Sequence, residues 1–221
     1  MLRDLAVAPY GGSDVGDILT IAAQVTPGDF ESYYSGFYNM AVRVYNTALS
    51  TDARRFPVSA RNAMFRVSTY FRSSDSYLHG NWSDPRIDSL WVQQATAFNK
   101  GLALLPSPGK RLNIKADGFN VSAICFPASG EPNVGRSSSL VVVTMAVERK
   151  PIIRWGRPQR SEGTMLSLMR GPGQATLRRE QGIGFIVDWE KVVTPVLVSL
   201  TFSQCQSSLS HEEYTLRIVS R

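Results

Sequence analysis

Cysteine is nearly absent from this 221-residue chain: Cys125 and Cys205 are the only two. That is too few for a disulfide framework, and their spacing suits no metal. Histidine is as scarce, with only His79 and His211, and neither has a metal-ligand partner at useful spacing. No metal and no cofactor is therefore expected. Long apolar runs are missing as well. The longest aliphatic stretch, Leu140–Val143, is far too short to span a bilayer, so no membrane association is expected. Met1–Tyr10 has no basic segment leading into an apolar run, and a secretory signal is not expected. A reducing, cytoplasmic setting follows as the default. Without secretion, the two N-x-S matches at Asn81 and Asn120 carry no weight.

Acidic residues are in mild deficit, giving a formal net charge of +6 and a pI near 9.5. Nucleic-acid binding needs that surplus on one face, and it is not distributed so. Between Val141 and Arg170 six basic residues (Arg149, Lys150, Arg154, Arg157, Arg160, Arg170) stand against Glu148 and Glu162. That one stretch carries +4 of the +6, with no helical or strand period to align its charges. No nucleic-acid partner is expected.

What is present is an ordinary globular balance, 43% hydrophobic and 19% charged, and the length suits one large domain or two small ones. The first half reads as helices. A short one is expected near Asp17–Gln24. Thr26-Pro27-Gly28-Asp29 offers a hydroxyl cap, a proline and an early carboxylate. Phe30, Tyr33, Phe37, Met40, Ala41, Val44 and Ala48 then recur at three and four, marking one apolar face. After Pro57 a second stripe runs through Ala60, Ala63, Met64, Val67, Tyr70, Phe71 and Leu78, with Arg61, Ser68, Arg72 and Asp75 on the opposite side. Gly80 and Asn81 end it. Asp84-Pro85 starts a third helix with a face of Ile87, Leu90, Trp91, Phe98, Leu102 and Leu105, stopped by Pro106–Gly109.

Beyond Gly109 the period changes. Lys110–Ala116 alternates, Asp117-Gly118 signals a hairpin, and Val121–Phe126 gives a second strand. Leu140–Met145 is a third, aliphatic enough for burial on both faces. Glu148–Met169 has no convincing period. A helix is expected near Asp188–Phe202, with Pro195 inside it. The tail is unpatterned until Tyr214–Val219. Helices, then a hairpin, a buried strand and another helix is the order of a helical cap preceding an α/β sheet.

Three segments carry a resemblance: Pro9–Gly16, Ser59–Ala63 leading to Ser68–Arg72, and Leu78–Trp82. They resemble the N-terminal helical region of a group of α/β-hydrolases. That group includes bacterial dihydropseudooxynicotine hydrolases and fungal hydrolases that shorten polyketide pigment precursors. Gly171-Pro172-Gly173-Gln174 through Gly182–Gly184, and Asp188–Pro195, look like the same group's segment after its fourth strand. The resemblance implies an α/β fold: an N-terminal helical cap followed by an incomplete α/β-hydrolase sheet. The expected division is 1–108 cap, 109–202 incomplete core and 203–221 irregular tail. It also implies serine hydrolysis of a C–C or ester bond in a small aromatic or polyketide-like molecule, a small-molecule partner, and a place in secondary metabolism; it leaves a homodimer open.

The stretch at about 141–170 departs from the pattern. Such enzymes carry a Gly-rich loop after the third strand that supplies an oxyanion N–H; here Val143–Lys150 stands there. Read one base earlier, the codons of Met145 and Ala146 force a glycine. Leu166–Arg170, shifted likewise, permits Val-Ile-Thr-Tyr-Glu, a good strand running into Gly171. A reading-frame slip entering near Leu140 and restored before Gly171 is the expectation, and it explains the misplaced basic surplus.

The chain contains no G-x-S-x-G turn for a serine nucleophile. Gly11-Gly12-Ser13-Asp14-Val15-Gly16 comes closest, with its second glycine one place late and no strand before it. His79 reads as a helix-end histidine and His211 as a solvated tail residue. No catalytic residue is assigned, and the chain is expected to be truncated and inactive. Tyr34, Tyr38, Tyr70, Arg72 and Trp82 are candidates for a substrate pocket under the cap. The same spacing also fits plain core packing. The alternative reading is a non-enzymatic helical dimerisation or binding module built from the first block.

Overall fold

The computed structural model describes residues 1–106, 108–126, 138–143, 164–202 and 216–219. The chain divides into two compact units, Met1–Pro108 and Gly109–Arg221.

The first unit is helical: α1 (Leu2–Leu5), α2 (Val15–Ala22), α3 (Phe30–Ser50), α4 (Pro57–Ser74) and α5 (Arg86–Ala103), with 3-10 turns at Ala8–Tyr10 and Asp75–Gly80. Three of these helices start for a visible local reason. Asp14 caps α2 by accepting the Gly16 and Asp17 N–H groups, at 2.9 and 3.3 Å. Asp29 caps α3 through the N–H groups of Glu31 and Ser32, at 2.9 and 3.2 Å. Thr26 is therefore not the cap. Gly28 takes φ +85°, which no helical residue adopts, so the cap moves past it. Pro57 opens α4 at its first position, where its missing N–H costs nothing.

α4 packs against both α3 and α5. Val67 and Tyr70 are fully buried and Phe71 nearly so. Phe71 meets Tyr38 of α3 with ring centroids 5.8 Å apart, and Phe65 meets Phe98 of α5, also at 5.8 Å. Burial of side chains such as Phe37 and Val67 stabilises the unit by about 1.5–3 kcal/mol each.

The polar side of α4 does not face water. Arg61, Ser68 and Asp75 are buried at 6%, 0% and 2% exposure, because α4 lies inside the unit. An apolar stripe identifies one buried side of a helix, and it does not say that the other side is wet. On α5 the stripe likewise passes through Gln94, 3% exposed.

The second unit is a mixed five-stranded sheet, ordered β1-β2-β4-β3-β5. Its strands are β1 (Lys110–Lys115), β2 (Asn120–Phe126), β3 (Ser138–Val143), β4 (Thr164–Arg170) and β5 (Leu216–Val219). β1 and β2 form the expected hairpin, paired Leu112 to Ala123 and Ile114 to Val121, with Gly118 at φ +80° in the turn. β2 runs antiparallel to β4, while β3 is parallel to both β4 and β5. Among the described residues, the helices here are α6 (Ala175–Gln181) and α7 (Glu190–Phe202). Val192 and Val196 of α7 join Ile114, Val121, Ala123, Cys125 and Met169 in one apolar cluster. Gln181 ties the end of α6 to β2: its amide accepts the Asn120 N–H at 2.9 Å and donates to the Asn120 carbonyl at 2.8 Å.

Three expectations change here. β4 forms within a stretch that shows no sequence period, and α6 follows it unforeseen. β3 begins at Ser138, before Leu140. Cys125, wholly buried in β2, is disulfide-bonded rather than an isolated small hydrophobe; its partner sulfur lies outside the described residues. Residues 144–163, the centre of the expected frame slip, also lie outside them.

Candidate functional site

The five pocket candidates fall into three groups within the helical unit. Tyr34 and Tyr38, one turn apart on α3, stack with centroids 5.5 Å apart. The Arg86 guanidinium lies over the Tyr34 ring at 4.5 Å. That arginine is held by Glu31 at 2.7 Å and Asp84 at 2.6 Å, which raises its pKa further and lowers both carboxyls. The stack is thus clamped at its outer end by a planar cation, a favourable arrangement on an aromatic face.

Tyr70 stands apart. It is 0% exposed. Its hydroxyl donates to Asp17 Oδ2 at 2.9 Å and accepts the Asp14 backbone N–H at 2.9 Å. Burial, followed by the Asp17 charge, drives its pKa upward. Asp17 is also held by Arg43 at 3.4 Å and Arg66 at 3.3 Å, and Arg66 reaches Asp14 at 3.5 Å. This network pins α2 onto α4.

Arg72 and Trp82 meet through residues that sequence reasoning set aside. Asp75 is nearly buried; its carboxylate pairs with Arg72 at 3.5 Å and with His79 Nε2. The His79 ring stacks against Trp82 at 4.7 Å, and Trp82 remains 59% exposed. Here a buried carboxylate holds a part-exposed arginine and histidine beneath an exposed indole. His79 acts there as a partner to Asp75, four positions back, which the i, i+4 spacing of Asp75 and His79 signals.

A second cluster was not read from sequence. Asp4, 1% exposed, accepts the Ser73 hydroxyl at 2.6 Å. It also meets the N-terminal ammonium at 3.3 Å and Arg3 at 3.6 Å. Ser13 donates to the Asp4 backbone carbonyl. The serine of the nearest approach to a nucleophile motif is therefore a buried hydrogen-bond donor leading into α2, not an exposed residue on a strand-to-helix bend. His211 lies outside the described residues. Among the described residues no group of three His, Cys, Asp or Glu side chains is placed to hold a metal ion, and no helix is long and apolar enough to cross a membrane.

In the second unit the turn after β4 is built by Gly171-Pro172-Gly173-Gln174. The Gln174 side chain accepts the Gly171 N–H at 2.9 Å. Gly173, at φ +76°, lies directly beneath the Phe185 ring.

No family model matches the chain. It is 32% identical over 201 residues to a hydrolase from a Fusarium species, covering 89% of this chain and 48% of that protein. It is 28% identical to a 20-hydroxy-prefusarin hydrolase from Gibberella moniliformis, over 90% of this chain and 49% of the relative. The match to an alpha/beta hydrolase from Penicillium citrinum is 26%, over 89% and 47%. Among solved structures, 2,6-dihydroxy-pseudo-oxynicotine hydrolase superposes with a TM-score of 0.71 at 14% identity, over 96% of this chain and 56% of its own. The fold is that of the α/β-hydrolases. The helical unit and mixed sheet correspond to this hydrolase fold, and the chain spans about half the length of the curated relatives it matches.

Proposed function

We propose that the chain supplies the helical cap and the opening part of the sheet of a serine α/β-hydrolase. The substrates would be small aromatic or polyketide-like molecules cleaved at a C–C or ester bond, in secondary metabolism. In the same proposal, the 221 residues do not perform that hydrolysis by themselves. The observation that carries this is the pairing of hydrolase relatives along most of the chain with a sequence that contains no G-x-S-x-G.

The chemistry argues the same way. Acyl transfer needs a serine activated by a base, together with backbone donors aimed at the developing oxyanion. One oxyanion donor alone is worth roughly 3 kcal/mol of barrier. Ser13 is buried against Asp4, and His79 is engaged by Asp75. Purified chain offered generic aryl esters should give turnover at the background rate. Sustained turnover that a serine-directed inhibitor abolishes would end this reading.

Tyr34, Tyr38, Tyr70, Arg72 and Trp82 remain the proposed pocket residues of the cap, Tyr70 being the one that is wholly buried. A cytoplasmic location belongs to the same proposal. The frame slip between about Leu140 and Gly171 is proposed too, supported by the coding arithmetic and the concentrated basic charge. Genomic DNA across codons 139–171 tests it: an intact reading in the written frame across strains would reject it.

A second reading has one observation in its favour. The apolar cluster of the first unit is drawn wholly from residues between Met1 and Ala97, so that unit has a core of its own and would serve as a helical dimerisation or binding module.

A further inference from the structure

We infer that the α4–α5 seam holds a buried water molecule bridging Ser68 and Gln94. Two buried polar atoms carry this. Ser68 Oγ and Gln94 Oε1 are both shielded from solvent, and neither has a hydrogen-bond partner among the protein groups; their residues are 0% and 3% exposed. Buried polar atoms in folded proteins are almost always paired, and where protein supplies no partner, internal water does.

Helix register points both residues toward the same seam. Phe65 of α4 packs on Phe98 of α5, and the same ring lies against Gly101, where an added Cβ would stand 2.8 Å from it. The 3-10 turn that continues α4 also packs on α5, so the two helices run antiparallel. Ser68 is three residues beyond Phe65 and Gln94 four residues before Phe98. Each lies one turn along its own helix toward the shared end, on the buried side.

The chemistry of the atoms selects the ligand. Gln94 Oε1 only accepts, so it needs a donor. Ser68 Oγ both donates and accepts. A water molecule supplies two donors and two acceptor sites, and it satisfies both groups at once without bringing in a further charge. Such a site makes the seam polar at its centre. It would also explain why glutamine occurs in a stripe otherwise made of Ile87, Leu90, Ala97, Phe98 and Leu102.

Crystallography of the chain, at a resolution that orders internal water, tests this directly. The expected result is one density peak within hydrogen-bonding distance of Ser68 Oγ and Gln94 Oε1. A direct Ser68–Gln94 hydrogen bond, or any other protein group bonded to both, would overturn it. A double-mutant cycle by denaturant unfolding checks it without crystals, with Ser68→Ala, Gln94→Met and the pair. Each single change should lower the unfolding midpoint, and the double should cost clearly less than the sum of the two. Strictly additive losses would overturn the shared site.

Discussion

The Tyr70 hydroxyl occupies a place that nothing else can fill, because it accepts a backbone N–H from Asp14 and donates to the Asp17 carboxylate. Tyr70→Phe keeps the ring packing against Phe37 and removes only those two bonds. It should cost about 1–3 kcal/mol of stability, read from denaturant unfolding, since a part-buried hydrogen bond to a carboxylate is lost. Tyr33 gives a pH signature. Burial, followed by the nearby Asp4 charge, pushes its pKa up to about 12. The unfolded chain releases that proton first, so the protonated phenol stabilises the fold fully below about pH 10. Stability should fall as pH rises from there toward 12, and Tyr33→Phe should flatten that part of the alkaline profile. At this scale the sequence was partly legible. The aromatic positions could be read from their spacing, and what each hydroxyl touches could not. Tyr70 and Tyr34 share one residue type and both lie on helices, yet the first is hydrogen-bonded to two aspartates and the second stacks under Arg86.

α4 and α5 approach closely where Gly101 faces the Phe65 ring. Alanine is the better helix former, so Gly101→Ala on an exposed helix would stabilise. Here its Cβ would stand 2.8 Å from a ring that is 3% exposed and packed on Phe98. The substitution should lower stability by about 1–3 kcal/mol. Gly173→Ala should do the same in the sheet unit for two reasons, the left-handed backbone at φ +76° and the overlying Phe185 ring. The long helices and the first hairpin were readable, since their periods run over many residues or end in an Asp-Gly turn. β4 was not. Its register sets Leu166 opposite Phe126 and Met169 opposite Ala123, and partners that distant in sequence leave no local period. The polar side of α4 misled for a related reason: burial of Arg61 and Ser68 comes from tertiary packing, which a single helix's pattern does not encode.

On the scale of the whole molecule, the two compact units have separate apolar clusters. Residues 1–108 expressed alone should therefore fold as a helical unit with a single cooperative transition, followed by far-UV circular dichroism during thermal unfolding. A non-cooperative slope would show that the helices need the sheet. The hydrolase fold was visible in the order of sequence segments, while the candidate site was visible only as residues without partners. The arrangement of Asp75 with Arg72, His79 and Trp82 depends on a 3-10 turn that sequence pattern placed within the preceding helix.

The central claim is that a hydrolase fold without a serine-bearing bend has no hydrolytic nucleophile. Intact-mass spectrometry after incubation with a fluorophosphonate tests it most directly. The account predicts an unchanged protein mass, and a stoichiometric phosphonyl adduct on any serine of these 221 residues would contradict it.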